Sequence, residues 1–114
     1  MSKKEVKLDL KGSLGEVKLR FGLSEMEQLS LDHEIHDLQS LATNLAMKKG
    51  ISGILLLALR QNHKDLDKED LESVDVDMES LQEALILAYL IADFGPKKAQ
   101  ELMKSIKDQG EKKK

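Results

Sequence analysis

The histidine pair His33 and His36 is the part of the sequence that most resembles a metal site. The segment reads His33-Glu34-Ile35-His36, and two histidines three residues apart can share one face of a helix. With Glu34, or with the distant His63, such a pair could bind zinc. The zinc-protease motif instead spaces its histidines four residues apart, with the glutamate directly after the first. Because the spacing differs and no second cluster completes a tetrahedral site, we expect the solvated first turn of a helix.

A second cluster of potential ligands is acidic. Asp65, Asp67, Glu69 and Asp70 resemble the beginning of a calcium loop. The EF-hand loop requires glycine at its sixth position and glutamate at its twelfth. Counted from Asp65, these positions hold Asp70 and Val76, and a later register also fails at both positions. We therefore expect a solvated acidic loop.

Nucleophilic catalysis has little to build on in this chain. There is no cysteine, and no serine lies in a G-x-S-x-G pattern. Gly12 and Gly15 have the spacing G-x-x-G, but they lie in a predicted hairpin loop and not between a strand and a helix, so they do not predict a phosphate-binding loop. A chain of 12.8 kDa also leaves little room for a cleft between domains. We predict no enzymatic activity, no cofactor and no metal.

The composition indicates a small protein with a highly charged surface. At 114 residues the chain has the length of one domain. Apolar residues make up 40%, charged residues 34% and aromatic residues 3%. The core must therefore be aliphatic, which favours interlocking helices over an aromatic-rich sheet sandwich. The lack of cysteine fits a reducing compartment such as the cytoplasm.

Charge is distributed unevenly along the chain. Residues 1–20 carry six basic and three acidic side chains (net +3), residues 21–96 carry five and fifteen (net −10), and residues 97–114 carry seven and three (net +4). The acidic body argues against a nucleic-acid partner, because a nucleic-acid backbone attracts basic surfaces. The longest uncharged apolar stretches, Ile51–Leu59 and Ala84–Ala92, hold nine residues each, whereas a membrane-spanning helix needs about 20. We predict neither a nucleic-acid nor a membrane partner.

The first part of the chain predicts a β-hairpin over about residues 4–21. Apolar side chains alternate with charged ones in Glu5–Leu10 and again in Glu16–Phe21, which places one face on the core and the other in water. Between them, Gly12 and Gly15 suit the positive φ angles of a hairpin loop. A two-stranded hairpin is barely stable alone, so its apolar face must pack on helices or on another copy of the chain.

Helical patterns follow from about residue 25 to residue 107. Ser24 and Glu27 have the spacing of a capping box, which predicts a helix start there. The strongest helix is expected over Met78–Phe94, because Asp77 can cap its first turn and the Gly-Pro pair after it cannot continue a helix. The other predicted segments are Leu31–Lys49, Ser52–Asn62, a short turn carrying Leu66 and Leu71 that Asp65 or Asp67 could cap, and Lys97–Lys107.

Strands that precede helices predict an α+β fold that is mostly α, with an N-terminal β-hairpin followed by a bundle of four to five helices. We expect residues 1–110 to form a single domain. Residues 108–114 are expected to be a disordered basic tail.

Three of these helices could offer apolar surface to a partner. Ser52–Asn62 and Met78–Phe94 are apolar on almost every side, and the last helix is amphipathic and follows the Gly-Pro break. Such segments can pack in the core, or they can form a groove for another protein. The protein-binding residues that we predict on these helices are Leu55, Leu56, Leu59, Leu87, Leu90, Leu102, Met103 and Ile106.

The order of these features resembles a known family. The central apolar helix ends in the pattern L-x-x-A-L-R-x-N, formed by Leu55, Ala58, Leu59, Arg60 and Asn62. The acidic segment DLDKEDLESVD follows, and then the long apolar helix MESLQEALILAYLIADFG. With the hairpin before them, these segments resemble the small tail assembly chaperones of long-tailed bacteriophages and prophages, over about residues 4–96.

This resemblance implies a non-enzymatic role in the host bacterial cytoplasm. Members of the family bind the tape measure protein, keep its apolar helical stretches soluble, and help to recruit tail tube subunits. The resemblance brings no catalytic, cofactor or metal residues with it. We also expect a homo-oligomer, formed by pairing of hairpin edges or by packing of helices.

Two other interpretations of the sequence are open. One is a small bacterial regulatory or antitoxin-like protein-interaction module of the same fold class. The other is a metal-dependent enzyme that uses His33, His36 and His63.

Overall fold

The computed structural model describes residues 5–11, 14–72 and 74–112. In this part of the chain an antiparallel hairpin leads into six helices, so the predicted α+β fold with mostly helical content is confirmed. The helices number six, and not four to five, because the short acidic turn forms a helix and the chain breaks between the first two. The elements are β1 (Val6–Asp9), β2 (Glu16–Leu19), α1 (Leu23–His33), α2 (Leu38–Ala46), α3 (Ile51–Leu59), α4 (Lys68–Glu72), α5 (Met78–Phe94) and α6 (Pro96–Lys112).

The hairpin has the predicted alternation. Val6 lies opposite Leu19 and Leu8 opposite Val17, and all four side chains are buried while the residues between them are exposed. Gly15 has a φ of +60°, as expected for the loop, and Gly12 lies outside the described residues. β1 packs against α5 and β2 packs mainly against α3. The apolar face therefore rests on helices of the same chain.

The first helix begins earlier than the capping box at Ser24 predicted. Its N-cap is Gly22, whose backbone N–H donates to Glu25 Oε1 at 2.9 Å. The prediction was wrong because Glu25, and not Glu27, is held at the helix start by contacts with the end of α3, described below. A long-range contact therefore determines that Glu25, and not Glu27, lies at the helix start, although both have similar local sequence patterns.

The predicted helix Leu31–Lys49 is divided in two. α1 ends at His33, Glu34 takes a left-handed conformation with φ of +56°, and α2 begins only at Leu38. Asp37 caps α2 by accepting from the Ser40 backbone N–H at 2.8 Å. The break turns Ile35 into the core, where it is 2% exposed.

The core lies between the hairpin and the helices α3 and α5. Its members are aliphatic, as predicted from the composition, except for Phe21 and Tyr89. Burial is complete or nearly so at Leu10, Val17, Leu19, Leu29, Ile35, Leu41, Leu45, Ile54, Leu59, Leu85 and Leu90. α1 packs on α3, and α2 packs on α5, so both apolar helices are covered from several sides.

The short acidic turn forms α4, with Asp67 before it. The Asp70 N–H donates to Asp67 Oδ1 at 3.1 Å, and the Asp67 N–H donates to Asp70 Oδ2 at 2.9 Å. Leu71 is buried against α3, and Leu66 is half-buried. Of the two caps that the sequence allowed, the structure uses Asp67.

The last two helices form an antiparallel pair. Asp77 caps α5 by accepting from the Ser80 N–H at 3.2 Å, and Gly95, with φ of +91°, ends it, as predicted. α6 then begins at Pro96 and packs on α5 through the buried Ala99 and Met103.

α6 extends to Lys112, five residues beyond the helix end at Lys107 that the sequence predicted. The expected disorder of residues 108–114 stays a prediction. Residues 113–114 lie outside the described ranges. Within those ranges, each helix is too short or too polar to cross a lipid bilayer.

Candidate protein-binding surface

The three histidines have separate surroundings. His33 is the last residue of α1, and His36 lies in the following turn with its Nδ1 2.8 Å from Ser30 Oγ. His63 Nε2 accepts from the Lys18 backbone N–H at 3.0 Å. The pair thus lies at the end of a helix and not in a first turn, and the left-handed Glu34 takes the two rings off a common helix face. In the described residues no three histidine or acidic side chains form a group that could hold a metal ion.

His33 has a packing role at the start of α3. A Cβ atom at Gly50 would lie 3.0 Å from His33 Nδ1, and one at Gly53 would lie 3.1 Å from His33 Cε1. Gly50 also has a φ of +63°, which favours glycine. The two glycines therefore let the imidazole lie against the N-terminal turn of α3.

The acidic cluster is solvated, as expected. Asp65, Asp67, Glu69 and Asp70 are all exposed. The hydrogen bonds between Asp67 and Asp70 hold the start of α4, which is a sufficient structural reason for these two residues.

The end of α3 forms a junction with the start of α1. Glu25 is 3% exposed, and its carboxylate accepts from Arg60 Nε (3.0 Å), Arg60 Nη2 (2.7 Å), Gln61 Nε2 (2.6 Å) and the Gly22 N–H (2.9 Å). Burial by itself raises the pKa of Glu25, but the hydrogen bonds from Arg60, Gln61 and Gly22 outweigh it and hold this pKa below its ordinary value. The carboxylate is therefore charged at neutral pH and fully hydrogen-bonded.

The same end of α3 covers the outer edge of β2. The Arg20 N–H donates to the Ala58 carbonyl at 2.8 Å, and the Lys18 N–H donates to His63. Asn62 Nδ2 donates to the Lys18 carbonyl at 3.5 Å. Residues of the L-x-x-A-L-R-x-N pattern thus have structural functions: they fasten α3 to α1 and to the hairpin.

The outer edge of β1 is not covered in this way. The N–H and C=O of Lys18 point away from β1, because they bond to His63 and Asn62. Lys7 lies opposite Lys18, and the two residues therefore form a non-hydrogen-bonded pair of the hairpin. The N–H and C=O of Lys7 consequently point away from β2. Asp9, two residues further, faces the same way. None of the described residues donates a backbone hydrogen bond to this edge of β1 or accepts one from it.

A groove of about 440 Å³ runs beside this open edge, and we call it the β1 groove. Its walls are β1 and the first part of α5, and its apolar floor includes Ala84, Leu87 and Met103. Charged residues of both signs border it, with Lys7 on the hairpin and Asp77 before α5. An open strand edge next to an apolar floor can bind a polypeptide through main-chain hydrogen bonds and side-chain pockets together.

The structure separates the eight residues that were predicted to bind a partner. Leu55, Leu59 and Leu90 are buried in the core. Of these, Leu55 also lines a small pocket of about 120 Å³ between α3 and α5. Leu56 and Leu102 are half-buried, and Ile106 is 38% exposed. The remaining two, Leu87 and Met103, come together in the β1 groove.

Reasoning from the sequence did not find several surface residues. Leu23, Leu31, Met47 and Phe94 are exposed large apolar residues, at 81%, 76%, 67% and 52%. Lys7 and Asp9 belong to the groove because their strand has no outer neighbour among the described residues. The alternating pattern of the hairpin showed that they face solvent, but no local signal showed which strand edge is open.

Comparisons with protein-family models, with characterised proteins and with solved structures give no match for this chain.

Proposed function

We propose that this protein is a non-enzymatic tail assembly chaperone of a long-tailed bacteriophage or prophage. In this role it binds the tape measure protein and recruits tail tube subunits in the host bacterial cytoplasm. Support comes from the order of hairpin, apolar helix, acidic segment and second apolar helix, which resembles that family over about residues 4–96.

The observation that carries the proposal is the β1 groove. A chaperone for a long apolar client needs an accessible apolar surface, together with enough charge to stay in solution while it offers that surface. Leu87, which is half-buried on the floor of the groove, supplies the accessible apolar surface, and the charged border of the groove supplies the charge. An apolar stripe of a client helix can dock on such a floor.

The outer side of α6 extends this surface. Leu102 and Ile106 are one helical turn apart and are partly exposed, while Ala99 and Met103 on the same helix are buried against α5. α6 is therefore docked and has unused apolar area beside its packed face. The client surface that we propose consists of the β1 groove and this side of α6.

Co-expression with a tape measure protein, taken from the neighbouring genes where they encode one, tests the proposal. The chaperone should co-purify with the tape measure protein and increase its soluble fraction. Leu87→Glu should abolish co-purification, because it places a charge on the apolar floor. Leu56→Glu is the matched control, since Leu56 is also half-buried on a helix but does not line the groove.

The outcomes separate the alternatives. If the wild-type chain neither co-purifies with the tape measure protein nor improves its solubility, the proposed function is wrong. If Leu56→Glu and Leu87→Glu abolish binding equally while both remain folded by circular dichroism, the groove is not the client site. A gene neighbourhood without tail genes would instead favour a regulatory or antitoxin-like interaction module.

A further inference from the structure

Charges alternate in sign along the solvent-facing side of β1 and the residue before it. Glu5, Lys7 and Asp9 read minus, plus, minus, and Lys7 and Asp9 are exposed. Lys11 has left the strand, with φ of +61°, and its N–H donates to Asp9 Oδ1 at 2.8 Å. The strand can meet an antiparallel copy of itself with opposite charges facing, because the register that places Lys7 opposite Asp9 also places Asp9 opposite Lys7.

The hairpin itself does not use this pattern. In the register of β1 with β2, Lys7 lies opposite Lys18 and Asp9 lies opposite Glu16. Like charges directly opposite each other on one face of a sheet are destabilising. The signs on β1 are therefore unfavourable for the pairing that the chain makes internally.

The open edge of β1 admits few antiparallel registers with a second copy. Lys7 and Asp9 point their main-chain groups outward, so a hydrogen-bonded pairing must bring these residues opposite one another. Lys7 opposite Lys7 is a like-charge pair and also sets Asp9 against Glu5, and Asp9 opposite Asp9 sets two carboxylates against each other. Only Lys7 opposite Asp9 places opposite charges against each other along β1.

We propose that β1 pairs antiparallel with β1 of a second copy of this chain, in the register that places Lys7 opposite Asp9. The two hairpins then form one four-stranded sheet around a two-fold axis at Leu8. Each of the two symmetric Lys7–Asp9 pairs exchanges both main-chain hydrogen bonds. The added strand also covers the open side of the β1 groove, which removes an exposed sheet edge.

This dimer goes beyond the proposed function and does not depend on it. It requires only the chain itself, so a protein that does not bind a tape measure protein can still form it. Because the added strand and a client would both occupy the β1 groove, the dimer and the client complex exclude each other.

Reversing the charge at position 7 tests the dimer. Lys7→Glu sets a new carboxylate against Asp9 in two symmetric positions and should raise the dimer dissociation constant at least about tenfold. The same change creates an attractive pair with Lys18 inside the hairpin, so the monomer should keep or gain thermal stability. Sedimentation equilibrium over a concentration series measures the dimer dissociation constant, and thermal unfolding measures the stability of the monomer.

Two further variants make the test specific. Lys18→Glu makes the same charge change and relieves the same pair in the hairpin, but it lies on the strand whose outer edge the end of α3 covers. It should leave the dissociation constant within about threefold of wild type. The double variant Lys7→Glu with Asp9→Lys restores opposite charges between the copies and should regain most of the lost association.

Three results would overturn the dimer or its register. A wild-type chain that sediments as a monomer even at a concentration of about 1 mM overturns the proposal. A Lys18→Glu dimer that dissociates as readily as the Lys7→Glu dimer also overturns the proposal, because association would then not depend on the open edge of β1. A double variant as weak as Lys7→Glu alone overturns the register.

Discussion

Arg60→Met removes the positive charge that Glu25 meets at the junction of α1 and α3. Glu25 accepts four hydrogen bonds, and two of them come from Arg60 at 3.0 and 2.7 Å. After the substitution, a carboxylate with a 4% exposed side chain retains only the Gly22 and Gln61 donors. Methionine keeps much of the packing of the arginine stem, so the loss reports on charge and hydrogen bonds.

The expected cost is about 2 kcal/mol of unfolding free energy. A hydrogen bond to a charged group contributes about 1.5–3 kcal/mol, but the Arg60 side chain is 46% exposed. Water can therefore enter part of the space that the guanidinium leaves and replace some of the lost hydrogen bonding. The expected free-energy cost is thus near that of one charged hydrogen bond and not of two. For a domain of this length, a loss of about 2 kcal/mol lowers the melting temperature by roughly 8 °C.

Urea unfolding at neutral pH, followed by circular dichroism, measures this cost. Lys64→Met is the control, because it removes a positive charge from an exposed position shortly after Arg60 and should change stability by no more than about 0.5 kcal/mol. A double variant of Arg60→Met and Glu25→Gln should cost less than the sum of the single variants by about 1 kcal/mol, since both remove the same contact. Additive costs, or an Arg60→Met variant within about 0.5 kcal/mol of wild type, would refute this account of the junction.

Two further predictions concern pH and backbone conformation. The pKa of Glu25 is lower in the folded chain than its ordinary value of 4.5, so its contribution to stability is complete above pH 4.5 and is lost as the pH falls below 4.5 through the folded pKa. The stability difference between wild type and Glu25→Gln should therefore shrink over that interval, and a difference that stays constant there would contradict the assignment. Gly50→Ala should destabilise the fold by about 1–2 kcal/mol, because it combines a left-handed φ with a Cβ 3.0 Å from His33 Nδ1. Gly15→Ala has a similar φ of +60° and open space around it, so it should lower the stability less in the same thermal unfolding assay. Equal losses of stability would show that the contact with His33 does not contribute.

Local chemistry was sufficient to predict several elements of the fold. The alternation in both strands predicted which side of the hairpin is buried, because successive side chains of a strand point to opposite faces. Asp77 and Gly95 predicted the bounds of α5, because a side-chain cap and a glycine with positive φ act within one turn of a helix. These signals require no knowledge of distant residues.

The break between α1 and α2 depended on contacts that the sequence does not display. Leu31–Lys49 has a continuous helical pattern, yet the chain turns at Glu34 so that Ile35 enters the core. Likewise, Glu25 became the residue at the helix start because Arg60 and Gln61, far along the chain, reach it. Burial and long-range hydrogen bonds outweighed local propensity in both places.

The candidate site shows the same division. By itself the sequence determined that the chain has apolar residues such as Leu87 and Met103 on helices, and that Lys7 and Asp9 face water on a strand, because these properties follow from residue type and period. Only the tertiary structure decided that these four residues border one groove. The physical reason is that the end of α3 covers β2 and leaves β1 open, and which edge of a hairpin is covered depends on where the following helices pack.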